Sequence, residues 1–259
     1  MASTLAFPRS SVQVGAATKA PHRMPSAPLQ EIELSDASAL DAALDVLRGE
    51  RPVFLLEMPA VHALVAPATK RGARALDEAK VRLPGKTYGS MIGEVGAFYE
   101  LADPAVLPPP LRRPAAFAGF EGAFVRVRLR AAPVTTATVR EGTHQGLMFA
   151  DGAHRRFAAG LEDGLASMAE PDLFGGLAYT APLCTSANLS GDPRGTITDE
   201  ARAAAFARDR GVRLWIRAPR DVDARGSYPV FSLSNEGFTV ERDGPGRAEI
   251  ERRIHGAIG

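Results

Sequence analysis

Cysteine is nearly absent: Cys184 is the only one in 259 residues. A lone thiol excludes an intrachain disulfide and a cysteine-rich zinc or iron–sulfur site, and it fits a reducing compartment. Long hydrophobic runs are absent too. The run Val53–Leu56 ends at Glu57, and the alanine-rich stretches carry Arg or Asp, so nothing reaches the roughly 18 apolar residues of a membrane-spanning helix. Neither sign of charge is in excess: Lys plus Arg number 31 against 30 for Asp plus Glu, a formal net charge of +1. That balance excludes a nucleic-acid binder held by bulk charge, though not a local basic groove. No Gly-x-Gly-x-x-Gly follows a strand pattern and no P-loop signature occurs, so the ordinary dinucleotide and P-loop readings lack support. The five histidines include no His-Glu-x-x-His, and no metal site is expected. Asp and Glu are missing altogether from the first thirty residues.

That acid-free segment is rich in Ala, Ser, Pro and Thr and carries Arg9, Lys19 and Arg23. Two readings stand for residues 1–31: a disordered leader, or an organelle transit peptide, which is typically basic and poor in acids. Without a leader function the expected location is the cytoplasm. Acid and apolar periodicity begin together at Glu31, so residues 32–259 are read as one domain. With 20 prolines and 25 glycines this domain is rich in turns, and a twisted, partly parallel α/β sheet with packed helices is expected.

Leu40, Leu44 and Leu47 share one helical face over 37–47, with Ser35 or Asp36 as cap. Val53–Leu56 and Val61–Val65 read as short strands, Thr69–Gly72 as a turn, and Arg74–Ala79 as a short helix. Ala123–Leu129 alternates strictly and predicts a strand whose wet face carries Arg126 and Arg128. Thr135–Val139 is β-prone. Helices are expected over 153–168, over 198–208 behind a Thr198 cap, and over 250–258. Strands are expected at 212–216, and a β-pair at 230–233 and 238–240.

Two segments carry chemistry. Thr185-Ser186-Ala187-Asn188-Leu189-Ser190-Gly191 gathers hydroxyls, an amide and backbone N–H groups where an apolar strand ends. Such a turn can cradle an anion, and Asn188 can donate and accept at once; an ordinary Ser/Asn/Gly turn closing a strand is the plain alternative. In Lys80-x-Arg82, with Lys86 nearby, two cations face one spot if the backbone is extended, a point charge beside a planar fork suited to phosphate. The plain alternative is a solvated loop. Together they would hold an adenylate or a triphosphate. Arg126, Arg128 and Arg130, with Arg112 and Arg113, leave an RNA-binding face open. Cys184 and Trp215 read as core.

The segment 185–191 resembles the Ser-Ala-Asn-x-Ser-Gly signature of the YrdC/Sua5 family, whose members include threonylcarbamoyl-AMP synthases of tRNA modification. Lys80-x-Arg82, the run ending in Thr198-Asp199-Glu200, and Ser227–Arg242 are also similar to the family, and the resemblance spans roughly residues 37–245. It implies a YrdC-like fold and a nucleotidyltransferase-type reaction that uses ATP and Mg2+. It also implies phosphate-neutralising roles for Lys80 and Arg82, and nucleotide contacts from Thr185, Ser186, Asn188 and Arg242. Catalytic roles would fall to Lys80, Arg82 and Ser186. The chain departs from the family on the substrate side. The family's Pro-Thr-(Asp/Glu)-Thr-x-Tyr-Gly-Leu is replaced by Glu57-Met58-Pro59-Ala60-Val61-His62-Ala63-Leu64. There His62 falls near the tyrosine, and Phe149 and His154 mark the other conserved stretch, so these three are expected to form the substrate side. The implied function is a divergent carbamoyl-adenylate-forming enzyme with altered amine or amino-acid specificity. The alternative is a catalytically degenerate nucleotide- or RNA-binding module. No membrane partner is expected.

Overall fold

The computed structural model describes residues 28–131, 133–219 and 225–258. The expected leader therefore lies outside the described residues, except for its last few. In chain order the elements are β1 (Gln30–Glu33), α1 (Ala39–Arg48), β2 (Phe54–Glu57), β3 (His62–Ala66), α2 (Lys70–Lys80), β4 (Gly89–Ile92) and α3 (Val95–Leu101). There follow β5 (Ala123–Arg128), β6 (Thr143–Met148), α4 (Gly152–Gly164), β7 (Leu183–Ser186), α5 (Glu200–Asp209), β8 (Leu214–Arg217), β9 (Val230–Ser234), β10 (Gly237–Arg242) and α6 (Arg247–Ile258). The strands form one ten-stranded sheet in the order β1-β8-β2-β3-β7-β4-β6-β5-β9-β10. It is mixed: β1–β8, β2–β8, β4–β6 and β5–β9 run parallel, and the other pairs run antiparallel. The α/β class and packed helices expected from the sequence are what the chain forms.

Alternation along the central strands splits the core between the two sheet faces. Leu55 and Leu64 face one side with Leu76 of α2, Phe98 of α3, Phe206 of α5 and Ile254 of α6. Phe54, Leu56, Ala63 and Val65 face the other with Leu44 and Leu47 of α1 and Phe157 and Leu161 of α4. The sheet is thus covered by helices on both sides, which is why its inner strands read as continuous apolar runs.

Several elements differ from the sequence reading. The sheet takes in Gln30 and Glu31, which pair with Leu214 and Trp215. The 69–72 turn is the first turn of α2. Thr69 caps it by accepting from the Gly72 N–H at 2.9 Å, and Gly72 lies so close to Pro67 that a Cβ would fall 2.1 Å from its carbonyl oxygen. Residues 135–139 form no strand; the hydroxyls of Thr136 and Thr138 instead donate to the Leu173 carbonyl, a local side-chain bond that competes with a ladder. Asp199, not Thr198, caps α5, accepting from the Arg202 N–H at 2.8 Å.

Arg217 at the end of β8 joins three elements. It bonds Glu57 of β2 at 2.7 Å, Glu31 of β1 at 2.7 Å and Glu200 of α5 at 2.9 Å, and its guanidinium lies 4.3 Å from the Trp215 ring centre. Glu57 is only 2% exposed. Burial pushes its carboxyl up, but the bonds from His62 and Arg217 outweigh that and hold it below the ordinary value.

Glu162 of α4 is buried on the other side of the balance. Its carboxylate accepts from the Gly93 and Glu94 N–H groups at 3.3 and 3.1 Å, yet burial dominates and pushes its pKa up to about 7 from 4.5. The native state then holds this proton more tightly than the unfolded chain, so stability falls as pH rises between those two values. Glu162→Gln keeps an acceptor for both amides and removes the titration. It is expected to flatten that slope and to add about 1–3 kcal/mol of stability at pH 8, read by urea unfolding across pH.

Candidate functional site

The segment after α2 is not an extended strand. Lys80 is the last helical residue, and Val81 takes a left-handed conformation, φ 48° and ψ 59°, rare for a β-branched residue. That reversal, rather than i, i+2 alternation, aims both neighbours at one place. Lys80 is 3% exposed and its Nζ donates to the Ser186 carbonyl, to the Asn188 carbonyl at 2.9 Å and to Asn188 Oδ1 at 3.1 Å. Three acceptors match the three N–H bonds of an ammonium. Burial, helped by the charges of Arg82 and Lys86, brings its pKa down to about 7. Arg82 lies 4.1 Å from the Tyr88 ring centre, with Nη2 donating to the Thr87 carbonyl at 2.6 Å and Nη1 reaching Thr185 Oγ1 at 3.4 Å.

The turn 185–191 follows β7 and is tied back on both sides. The Ser190 N–H donates to the Lys80 carbonyl at 2.9 Å and the Ala187 N–H to the His62 carbonyl at 2.8 Å. Ser186 Oγ donates to Asn188 Oδ1 at 2.6 Å, and Asn188 Nδ2 donates to the Leu189 carbonyl at 2.8 Å. The Lys80 ammonium therefore sits at the hub of the turn.

Lys80, Arg82, Thr185, Ser186, Asn188 and Arg242 all line one cavity of about 420 Å³. Its floor is the sheet face that carries α1 and α4, at Ala63, Cys184, Phe124 and Val230. Arg242 of β10 closes the far side, with Nε and Nη2 both donating to the Tyr228 carbonyl, at 2.9 and 2.7 Å. Arg126, Arg140 and Lys86 add to the wall, so six cations face one acid, Glu241. Glu241 is itself held by Arg126 Nε at 2.9 Å. A chain of near-zero net charge thus concentrates positive potential in one recess. At Gly89 the floor comes close to Phe124: a Cβ there would lie 2.6 Å from its ring.

The three residues expected on the substrate side are placed elsewhere. His62 points to the opposite face of β3, fully buried, 3.4 Å from the Ile197 carbonyl, 3.6 Å from Glu57 and edge-on to Trp215. Its neighbours Val61 and Ala63 line the cavity instead, as the two-residue period of a strand requires. Phe149 stacks on His154 at 5.3 Å, and His154 is held by Asp151 Oδ1 and the Glu57 carbonyl; neither lines the cavity. Met58, Val61 and Ala63 make that wall apolar. Sequence reasoning also missed Arg140 and Glu241 as cavity residues, since they arrive from distant segments. Arg126 reaches the cavity, whereas Arg130 turns away to Glu100 and the Ala102 carbonyl. Cys184 is buried, and burial raises its thiol pKa far above the usual range, so it is no thiolate nucleophile. Among the described residues no helix is long and apolar enough to cross a membrane.

No family model and no curated protein matches the sequence. Solved structures do match the fold. Sua5 of P. abyssi complexed with L-threonine is 18% identical, with a TM-score of 0.60 over 83% of this chain and 57% of that one. YciO of E. coli is 14% identical, with a TM-score of 0.54 over 84% of this chain and 94% of that one. Full-length HypF in a phosphate- and nucleotide-bound form is 15% identical, with a TM-score of 0.58 over 81% of this chain and 29% of that one. The chain thus spans little more than half the length of the P. abyssi protein and under a third of HypF. With the cavity placed at the turn that carries the Ser-Ala-Asn-x-Ser-Gly signature, the chain has the YrdC/Sua5 fold.

Proposed function

We propose that the cavity binds ATP and activates a carbamate made from an amine other than threonine. The observation that carries this reading is the convergence of Lys80, Arg82, Thr185, Ser186, Asn188 and Arg242 on one recess with six cations and one acid. A recess of about 420 Å³ is within the range of nucleotide-sized pockets. The nucleotide-bound HypF and threonine-bound Sua5 of similar fold make both ligand classes reasonable here.

In the proposed reaction the amine nitrogen adds to the carbon of bicarbonate, and water leaves. One carbamate oxygen then attacks the α-phosphorus of ATP, and the bond to the bridging oxygen of pyrophosphate breaks. The products are a carbamoyl adenylate and pyrophosphate. Phosphoryl transfer of this kind rests on position and charge rather than on a strong acid or base. Arg82 and Arg242 would neutralise the phosphates, and Ser186, Thr185 and the 185–191 turn would orient them. The one cavity acid, Glu241, is engaged by Arg126, so Mg2+ would be held mainly by the triphosphate oxygens. The wall of Met58, Val61 and Ala63 offers a substrate side chain dispersion contact and no hydrogen bond. It therefore favours an amino acid or amine with an apolar side chain.

A second reading, a nucleotide- or RNA-binding module without turnover, is favoured by one feature: every Lys80 N–H is already spent on the turn. Pyrophosphate release with ATP, Mg2+ and bicarbonate, measured over a panel of amino acids and amines, separates the two. Release with valine-, leucine- or methionine-like amines above threonine supports the enzyme. ATP binding without release across the panel supports the module, and absence of both ATP binding and RNA binding rejects both readings.

A further inference from the structure

A second cationic recess, which shares no lining residue with the cavity, lies along α2. It is formed by the segment 49–53 after α1, by the outer face of α2 and by the residues that follow α5. Arg51, Arg71, Arg74 and Arg210 line a small cavity of about 90 Å³, together with Glu50 and Glu78. An adjoining cavity of about 320 Å³ shares Glu50, Arg51 and Val53 with it and adds Arg213, Val46 and Gly211. Four guanidiniums against two carboxylates leave the small recess positive.

These groups differ in their pairing from the arginines of the ion-pair networks. Arg126, Arg130, Arg155, Arg217 and Arg247 each hold a carboxylate. Among the described residues, Arg51, Arg74, Arg210 and Arg213 hold none within 4.0 Å, although Glu50 and Glu78 line the same recess. Arg71 donates to the Arg48 carbonyl at 3.1 Å, which fixes it at the rim. Arg51 lies over Gly211, where φ is +66° and a Cβ would fall 2.7 Å from Arg51 Nη1. The glycine leaves room for that guanidinium and for no side chain of its own. Arg71, Arg74 and Glu78 stand at i, i+3 and i+7, one stripe of the helix.

We infer that this recess binds a phosphate group on a small molecule, the phosphate among the four arginines and the attached group in the adjoining cavity against Val46 and Val53. Guanidiniums that line one recess without carboxylate partners match the oxygens of a phosphate, which accepts paired N–H bonds. The small volume favours a terminal phosphate over a polymer backbone. The inference is independent of the reading of the larger cavity.

The test is a titration of the full chain with inorganic phosphate, followed by backbone amide shifts. The amides of Glu50, Arg51, Val53 and Gly211 report the recess, and those of Ser186–Gly191 report the larger cavity. Saturable shifts at Gly211 and its neighbours are expected. The double variant Arg74→Ala/Arg210→Ala should weaken them roughly tenfold or more and leave shifts at Ser186–Gly191 as they were. Arg74 is exposed and Arg210 half-buried, and an unchanged melting temperature confirms that the variant is folded. No shift at Gly211, or shifts undiminished in the variant, overturns the assignment. So does an RNA oligonucleotide that produces the same shifts at lower phosphate-equivalent concentration. Failure at Ser186–Gly191 alone bears only on the larger cavity.

Discussion

Lys80→Met is expected to abolish ATP binding as measured by calorimetry, with a loss of roughly a hundredfold or more in affinity. The methionine keeps the apolar stem and removes three N–H bonds. The Ser186 and Asn188 carbonyls and Asn188 Oδ1 then lose their common donor; the Ser186 carbonyl keeps the Asn188 N–H at 3.0 Å and Oδ1 keeps the Ser186 hydroxyl at 2.6 Å, which leaves the Asn188 carbonyl without its donor. An unsatisfied carbonyl costs about 1–3 kcal/mol, and with its hub gone the 185–191 turn is expected to loosen. Amide exchange at Ala187 and Ser190 should rise with the loss of binding. If Lys80 merely supplied charge, Lys80→Arg would restore affinity. A guanidinium cannot place three N–H bonds on one point, and no rescue is expected.

The same lysine is expected to give wild-type ATP binding a pH dependence. Burial holds its pKa down to about 7, and a polyanion beside it would raise that value. Binding then takes up a proton above pH 7, and affinity falls as pH rises from there. Calorimetry in buffers of different ionisation enthalpy reads the proton directly.

Arg217→Ala carries the second large effect, on stability. It deprives the buried Glu57 carboxylate of the guanidinium 2.7 Å away and cuts the ties to Glu31 and Glu200. Removing one partner of a buried ion pair costs about 3–5 kcal/mol, which for a chain of this size lowers the melting temperature by roughly 10 °C. The loss has a signature in pH. In the wild type Glu57 titrates below its ordinary value of 4.5, so its contribution is present above that value and fades in acid. In the variant burial prevails, the carboxyl pKa rises, and the deficit shrinks as pH falls through it. Adding Glu57→Gln to Arg217→Ala should recover at least half of the loss. An unchanged melting temperature in the single variant would mean that the network contributes nothing.

Much of this molecule can be read from its residues. Ala123–Leu129 alternates without a break because only one face of β5 is dry, and Leu40, Leu44 and Leu47 repeat because α1 packs one stripe. The 185–191 turn stands out because small polar residues cluster there for want of space and for want of donors. Other features leave no such trace. Val81 in a left-handed turn runs against the preference of its own side chain and is held there by the helix before it and the loop after it. His62 looked like a substrate group, but β3 is buried on both faces, and burial on both sides erases the alternation that would have told Val61 and Ala63 from His62. Arg140 and Glu241 reach the cavity only because β6 and β10 flank β5 and β9, and a pairing of strands far apart in the chain is not written in either one.

The contact between Lys80 and Ser186 spans 106 residues, and that between Arg126 and Glu241 spans 115. Loop closure over such lengths is slow, and contacts of this range form after local helices. A chain that has formed α2 and α4 but has not yet laid β7 against β3 holds helices and apolar clusters without a cavity. The recess is therefore expected to be among the last parts of the molecule to form during folding, and a ligand bound there would favour only the finished state.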